Sequence, residues 1–307
     1  MNLIMRWISV FCLTCIFLCE SFTLELRAQR SDSLLQAEAH QLMLQQNYFE
    51  AAIAFERIWF FSADPQTRMQ ANLNRAQALK QMNEFAKARR DLQRSAHLQQ
   101  FPDLHQQVLY EMAFCDYMSG HYGSSAGLLR QREHFYPHTA SQPESLLLFA
   151  LAALRMEDWP LAQEKTLEMI MVADWDAQLT DSLVQLTMDV FCQCAVPVQL
   201  SVSKAERWST FVPGAGQLYA GYPGKAMINA GSQLVSLGIA GFMGFNNLYI
   251  SGFVLGLGMF QSFYFGGIRQ AGYLAGQQNL QMMSEYKDYL QKYVFMIFNL
   301  SESNHER

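Results

Sequence analysis

Residues 39–55 read AHQLMLQQNYFEAAIAF, and the same layout returns at 76–92 (AQALKQMNEFAKARRDL), 113–129 (AFCDYMSGHYGSSAGLL) and 150–166 (ALAALRMEDWPLAQEKT). The period is 37 residues throughout. Its aromatic is Tyr48, Phe85, Tyr122 and Trp159 in turn. Nine residues before each stands Ala39, Ala76, Ala113 or Ala150, and three residues after it Ala51, Ala88, Ser125 or Ala162. Seven after come Phe55, Leu92 and Leu129, with Thr166 breaking the series beside Leu167. A polar pair precedes each aromatic: Gln46-Asn47, Asn83-Glu84, Gly120-His121 and Glu157-Asp158. Pro65 and Pro102 close the first two periods. Each period therefore reads as a helix, a tight polar turn and a second helix, with small residues letting the pair approach and the aromatic filling the crossing. The spacing predicts first helices over 32–45, 69–82, 106–119 and 143–156, and second helices over 48–62, 85–99, 122–135 and 160–172. Pro160 opens the last of these, where proline is tolerated. Residues 177–192 read as a closing helix that shields the last apolar face.

This order of small residue, turn, aromatic, alanine and bulky apolar residue resembles the tetratricopeptide repeat family, whose unit is 34 residues. The three extra residues per period are most simply placed in the loop between repeats. The resemblance implies a curved solenoid over about 32–192, with first helices lining a concave groove. Counted from the alanine registers, groove positions include Gln77 and Lys80, then Tyr110, Phe114 and Tyr117, then Arg155. The three aromatics stand at i, i+4 and i+7 and so share one helix face. They are expected to bind a protein or peptide partner. The competing reading is that they pack against the next repeat or the closing helix.

The chain has 307 residues, a formal charge of −5 and 16% charged residues, against roughly 25% in ordinary soluble domains. Half the residues are apolar, which excludes wholesale disorder. The charge excludes a nucleic-acid partner held by a basic whole-chain surface. One arginine and an apolar run at 7–18 (WISVFCLTCIFL) open the chain. That run is too short to cross a bilayer and fits a secretory signal peptide over 1–28, leaving a solenoid domain over 29–195. An uncleaved anchor is the alternative, and Cys19 raises lipidation, though Leu18 precedes it where a small residue is expected. Cys115, Cys192 and Cys194 remain beyond the signal. Cys192-Gln193-Cys194 is too close for an ordinary bridge and lacks zinc or C-x-x-C spacing. Buried small hydrophobes are the simplest reading, with a bridge from Cys115 to one of the pair as the alternative.

Residues 196–210 form a linker, and 211–270 a glycine-rich loop followed by a membrane hairpin. From Ala226 to Ile268 there is no charged residue, and only Asn246-Asn247 interrupts two apolar runs, 226–245 and 248–268. Each run is long enough for one membrane helix. Gly252-x-x-x-Gly256 offers a small face for close packing. The alternative is a buried helical pair in a soluble domain. Asn229, Gln233 and Ser236 share one face of the first run, and equal depth across the hairpin predicts a hydrogen bond between the side-chain amides of Gln233 and Gln261.

The loop at 213–221 fails the phosphate-binding patterns, because Tyr219 stands where G-x-G-x-x-G needs glycine. Pro213, Gly214, Gly216, Gln217, Tyr219 and Gly221 instead read P-G-x-G-Q-x-Y-x-G, and Tyr264, Gly267, Ala271, Ala275 and Asn279 follow downstream. This is similar to a bacterial membrane-domain family of uncharacterised function that carries two membrane helices between such motifs. The resemblance covers about 204–279 and implies insertion in a lipid bilayer, with no known chemistry. Residues 271–307 are expected as a separate amphipathic helix and tail, with Met282, Tyr286, Leu290, Tyr293 and Ile297 on one side. It lies on the membrane surface or docks on the solenoid.

The expected fold class is all-α: a tetratricopeptide-like solenoid of about four repeats, a two-helix transmembrane hairpin and a C-terminal amphipathic helix. The histidines are scattered, and no cluster provides a nucleophile, base or metal site. The expectation is accordingly an envelope scaffold, not an enzyme, with no cofactor and no metal. A channel or transport accessory, built as a homo-oligomer of the hairpin, is the alternative. The signal places the repeats on the exported side, although Lys204, Arg207, Lys225 and Arg269 flank the hairpin and would favour the cytoplasm.

Overall fold

A computed structural model describes residues 33–305, positions 98 and 174 excepted. The signal segment and Cys12, Cys15 and Cys19 lie outside the described residues. The described chain is all-helical, with no strand. Helix α1 covers 33–44, followed by α2 (Tyr48–Phe61), α3 (Pro65–Gln81), α4 (Phe85–Gln93), α5 (Pro102–Met118) and α6 (Tyr122–Phe135). A single turn α7 (Pro137–Ala140) leads to α8 (Pro143–Arg155), α9 (Trp159–Val172) and α10 (Ala177–Val190). The remainder is α11 (Val202–Phe211), α12 (Ala215–Tyr219), α13 (Pro223–Phe245), α14 (Tyr249–Ser251), a π-helix (Gly252–Leu257) and α15 (Gly258–His305). Two compact lobes result. The first comprises the described residues up to Val184 together with those from Val294, and the second is Gln185–Tyr293.

In the first lobe the polar pairs are helix stops. Gln46, Asn83, Gly120 and Glu157, at equal spacing, are all left-handed, with φ of 62°, 59°, 81° and 63°. Asn47 N–H bonds Leu42 O and Gln46 N–H bonds Met43 O. The same two bonds recur at His121 to Asp116 with Gly120 to Tyr117, and at Asp158 to Ala153 with Glu157 to Leu154. This crossed pair satisfies two of the carbonyls that a helix end leaves open. Between these stops, Ala51, Phe55, Ile58, Met69, Ala76, Ala88 and Leu92 form one buried cluster.

Three details differ from the expectation. Pro65 and Pro102 open α3 and α5 instead of closing the preceding period, because proline fits the first helical turn, where no N–H partner is needed. In these two periods the extra residues therefore lengthen the first helices, α3 and α5, which run 17 residues each, instead of the loops. Helix α4 ends at Gln93, short of residue 99. There the Asn72 amide takes the Asp91 carbonyl at 2.7 Å. Arg94 N–H and Ser95 N–H then fall back to bonds three residues behind them, at Asp91 and Leu92.

In the second lobe Gly214 (φ 87°) and Gly221 (φ 86°) bracket α12, and Asn247 (φ 61°) ends α13. Helix α13 is, among the described residues, the one helix long and apolar enough to cross a membrane by length and composition. The second uncharged run does not form a separate element. It starts as one α turn, passes through the π-helix and continues as α15 to His305. The hairpin's return and the C-terminal helix, expected as two pieces, are one continuous helical path. From Val294 onward α15 belongs to the first lobe, with Val294 and Ile297 fully buried.

Candidate functional site

Helix α5 carries the aromatic ridge. Tyr110, Phe114 and Tyr117 are half-buried and pack on a cluster that includes Ala113, Leu129, Phe149 and Ala152. Phe114 meets the Phe85 ring edge-on at 6.2 Å, and Tyr117 meets Tyr122 at 5.4 Å. Lys80 ion-pairs with Glu111 and holds its ammonium 5.0 Å over the Phe114 ring. These side chains are therefore largely committed to one another. Arg155 is exposed at the end of α8 and Gln77 is exposed on α3.

Of the expected groove residues, Gln77 and Tyr110 come together, in a cavity of about 400 Å³ shared with Gln107, Glu111, Arg132 and Glu144. Arg132 is its chemical centre. The residue is 5% exposed, yet among the described residues its guanidinium has no carboxylate within ion-pair distance. It donates to Ser145 Oγ at 2.6 Å and Gln142 Oε1 at 3.3 Å, lies 5.4 Å from the Tyr110 ring, and leaves Nε unpaired. Burial lowers the Arg132 pKa and raises that of Tyr110, because each charged form loses its hydration. The cavity thus offers a buried cation, amide groups and two carboxylates, a set suited to the main-chain and polar side-chain groups of a peptide. A signal for Arg132 was present in the sequence. Ten residues after each aromatic stand Ile58, Ser95, Arg132 and Met169, and all four are buried. A charged residue in an interior register was the mark to look for.

The glycine motif is a structural clasp. A Cβ on Gly214 would lie 2.6 Å from Ala226 O, and one on Gly216 would lie 2.0 Å from Ala205 O. Gln217, fully buried, donates to Gly267 O at 2.8 Å and accepts from Ser209 Oγ, which itself accepts the Gly216 N–H. Tyr219 accepts Ser201 N–H through its hydroxyl. Pro213 is exposed, one residue before the left-handed Gly214, and Gly221 supplies the left-handed stop. The downstream residues close the same clasp. Tyr264 donates to Thr210 O, and Asn279 bonds both backbone groups of Leu200 at 2.7 and 2.8 Å. Ala271 and Ala275 are fully buried, with Ala271 Cβ 2.7 Å from the place a Gly216 Cβ would take. Each small or amide residue of the motif has a geometric reason.

Helix α13 turns its polar stripe inward. Asn229, Gln233 and Ser236 are buried, and Gln233 donates to Asn229 Oδ1 at 3.2 Å. The expected Gln233–Gln261 bond is not made: Gln261 is exposed. Close approaches pair Gly252 with Met243, Gly256 with Ala240 and Gly267 with Asn229. That register places residues near 263, not 261, opposite Gln233. The turn consumes Leu248 as well as the two asparagines, and the π-helix coils wider than an α-helix, which shifts the return.

Cys192 and Cys194 form a disulfide across the 3₁₀ turn at Gln193–Ala195, so neither is a simple buried hydrophobe, and Cys115 has no bridge to either. Among the described residues no group of three or more His, Cys, Asp or Glu could hold a metal. His105, the most buried histidine, is occupied at both nitrogens by Tyr136 Oη (2.8 Å) and Ala96 O (3.0 Å). No family model, curated protein or solved structure matches this chain.

Proposed function

We propose that this protein is a membrane-anchored scaffold of a bacterial envelope. Its first lobe is a tetratricopeptide-like solenoid of four 37-residue periods that holds an extended stretch of a partner protein at the Arg132 cavity. Helix α13 and the return at 248–268 form a two-helix hairpin in the bilayer, with the repeats on the exported side. The observation that carries the reading is an inversion of ordinary burial in the second lobe. Asn229, Gln233 and Ser236 are inside, whereas Met227, Ile228, Leu234, Val235, Phe242 and Phe245 face outward. A water-soluble helical pair sorts these residue types the other way. An apolar surface of this extent is favourable against lipid and costly against water. The burial of Val294 and Ile297 in the first lobe supports a C-terminal stretch docked on the repeats instead of lying on the membrane. An oligomeric channel draws no support from Asn229 and Gln233, because both amides are covered within one chain.

Carbonate washing of membranes tests the anchor, and alkaline phosphatase fused after residue 200 tests the orientation. The chain should stay in the membrane pellet and the fusion should be active. Release by carbonate overturns the anchor, and a well-expressed but inactive fusion reverses the orientation.

A further inference from the structure

The geometry points to a binding site for the phosphate headgroup of an anionic phospholipid on α11, at the end of the hairpin opposite Asn247. This rests on the membrane reading above and goes beyond it by naming a lipid class. Lys204, Arg207, Trp208 and Phe211 share one face of α11 and line a groove of about 370 Å³. The buried side of the same helix is Ala205 and Ser209, so the groove face is turned away from the protein. Phe211 is 82% exposed and Trp208 49%. Leu218 on α12 and Met227 and Ile228 at the start of α13 are exposed as well, at the same end of the hairpin. Trp at this level is at home between headgroups and acyl chains.

Charge selects the ligand. Between Val190 and Ser284 the chain has four basic residues, Lys204, Arg207, Lys225 and Arg269, and one acidic residue, Glu206. All four bases lie at the same end of the hairpin, and none of them is ion-paired among the described residues. Glu206 does not neutralise the groove, because its carboxylate is turned onto Gly272 of α15, where a Cβ would lie 2.5 Å from Oε1. Lys204 is held 5.3 Å over the Tyr219 ring, and Arg207 spends only Nε, on Ser203 O. The ammonium and the outer guanidinium nitrogens are thereby oriented with donors to spare, the arrangement that binds a phosphodiester oxygen pair. A zwitterionic headgroup would bring its own cation to a site already in positive excess. An anionic one matches it.

The test reconstitutes the full chain, by detergent removal, with equal phosphatidylglycerol and phosphatidylcholine of identical acyl chains. Lipids retained after re-extraction are counted by native mass spectrometry. Phosphatidylglycerol should be enriched. The double variant Lys204→Gln with Arg207→Gln should lose most of that enrichment, about fivefold per charge removed. Lys287→Gln with Lys292→Gln should keep it, and excess soluble glycerol phosphate should not compete. Equal retention of the two lipids, enrichment indifferent to the α11 variant, or competition by glycerol phosphate each overturns the headgroup site. Flotation with pure phosphatidylcholine vesicles separates the two readings. A chain that floats yet shows no enrichment keeps the anchor and loses the site, whereas a chain that floats with no vesicle loses both.

Discussion

Asn72 donates its side-chain amide to Ser95 Oγ inside the first lobe, and both residues are fully buried. At the 37-residue register Asn72 corresponds to Leu35, Leu109 and Leu146, and Ser95 to Ile58, Arg132 and Met169. One period has therefore exchanged an apolar pair for a polar pair bonded to each other, with the Asn72 amide also on Asp91 O. A lone polar group there would be costly, and a hydrogen-bonded pair costs less. The replacements Asn72→Leu and Ser95→Ile should each cost about 1–3 kcal/mol alone, since each strands the other polar group. Together they should cost less than the sum by at least about 1 kcal/mol. Urea midpoints of the four chains measure the coupling, and strict additivity would refute the pairing.

Arg132 poses the opposite case, a buried charge in a register that is apolar in two other periods, with no ion pair among the described residues. Replacing a buried ion by an apolar side chain of similar volume is often neutral or stabilising. Met169 already fills this register in the next period. Arg132→Met should leave the melting temperature unchanged or higher while capture of the partner from envelope extracts falls. Arg132→Ala, which also opens a void, should lower both. Loss of stability in the methionine variant would show that the cation is structural and not kept for a ligand.

These two positions also mark the limit of what the sequence discloses. The period, the polar stops and the alanine contacts are local and repetitive, so spacing exposed them. Arg132 and the Asn72–Ser95 pair are departures from the period, legible only once the register is laid out in columns. The Gln233 partner was misjudged for another reason. Depth along a hairpin depends on how many residues the turn consumes and on the winding of each helix, and neither the role of Leu248 in the turn nor the π-helix leaves a signature in composition. The unbroken α15 was hidden by a change of pattern along it. The charge-free run ends at Ile268 and an amphipathic pattern takes over, which reads as a boundary, whereas Gly267 and Gly272 admit Asn229 and Glu206 at distances that no Cβ allows.

Acid should loosen the start of α3. Asp64 accepts Thr67 Oγ1 at 2.7 Å and Thr67 N at 2.8 Å, and these bonds, the hydroxyl first, hold its carboxyl below the ordinary 3.8. A carboxylate depressed by folding contributes stability above its unfolded pKa and loses it as pH falls through the folded value. Asp64→Ala should cost about 1 kcal/mol at neutral pH, as for other N-caps. The gap from the parent chain should close only below pH 3.8. The group is exposed and screened by solvent, so the cap bonds, not its charge, set that size. A gap that persists unchanged at pH 2 would contradict the carboxylate's role.

Cys115 is a built-in reporter for the first lobe. Burial pushes its thiol up to about 12, with Glu111 adding to the effect. An ordinary thiol near 8.5 is partly ionised at pH 8, so Cys115 in the folded chain should alkylate about a thousandfold more slowly. Iodoacetamide labelling followed by peptide mass spectrometry should show Cys115 unmodified until urea reaches the unfolding midpoint. Cys192 and Cys194 should label once a reductant is present. Rapid labelling of Cys115 in native buffer would mean that α5 opens far below the global transition.

The two faces of α13 make contrary demands on its small residues and on those opposite. A Cβ on Gly256 would stand 2.4 Å from Ala240 Cβ and 2.6 Å from Ala240 N. Backbone cannot move aside as a side-chain tip can, so Gly256→Ala must push the two helices apart at Ala240. Gly241 has nothing within 4 Å of the same added atom, and alanine there gains helix propensity of about 1 kcal/mol. In detergent, Gly256→Ala should lower the thermal midpoint by several degrees and Gly241→Ala should hold or raise it. Both substitutions add one methyl group to a glycine of the same pair of helices, so membrane affinity and hydrophobicity cannot separate them. Only close packing of the return helix on α13 predicts opposite signs, and equal midpoints for the two variants would dismiss it.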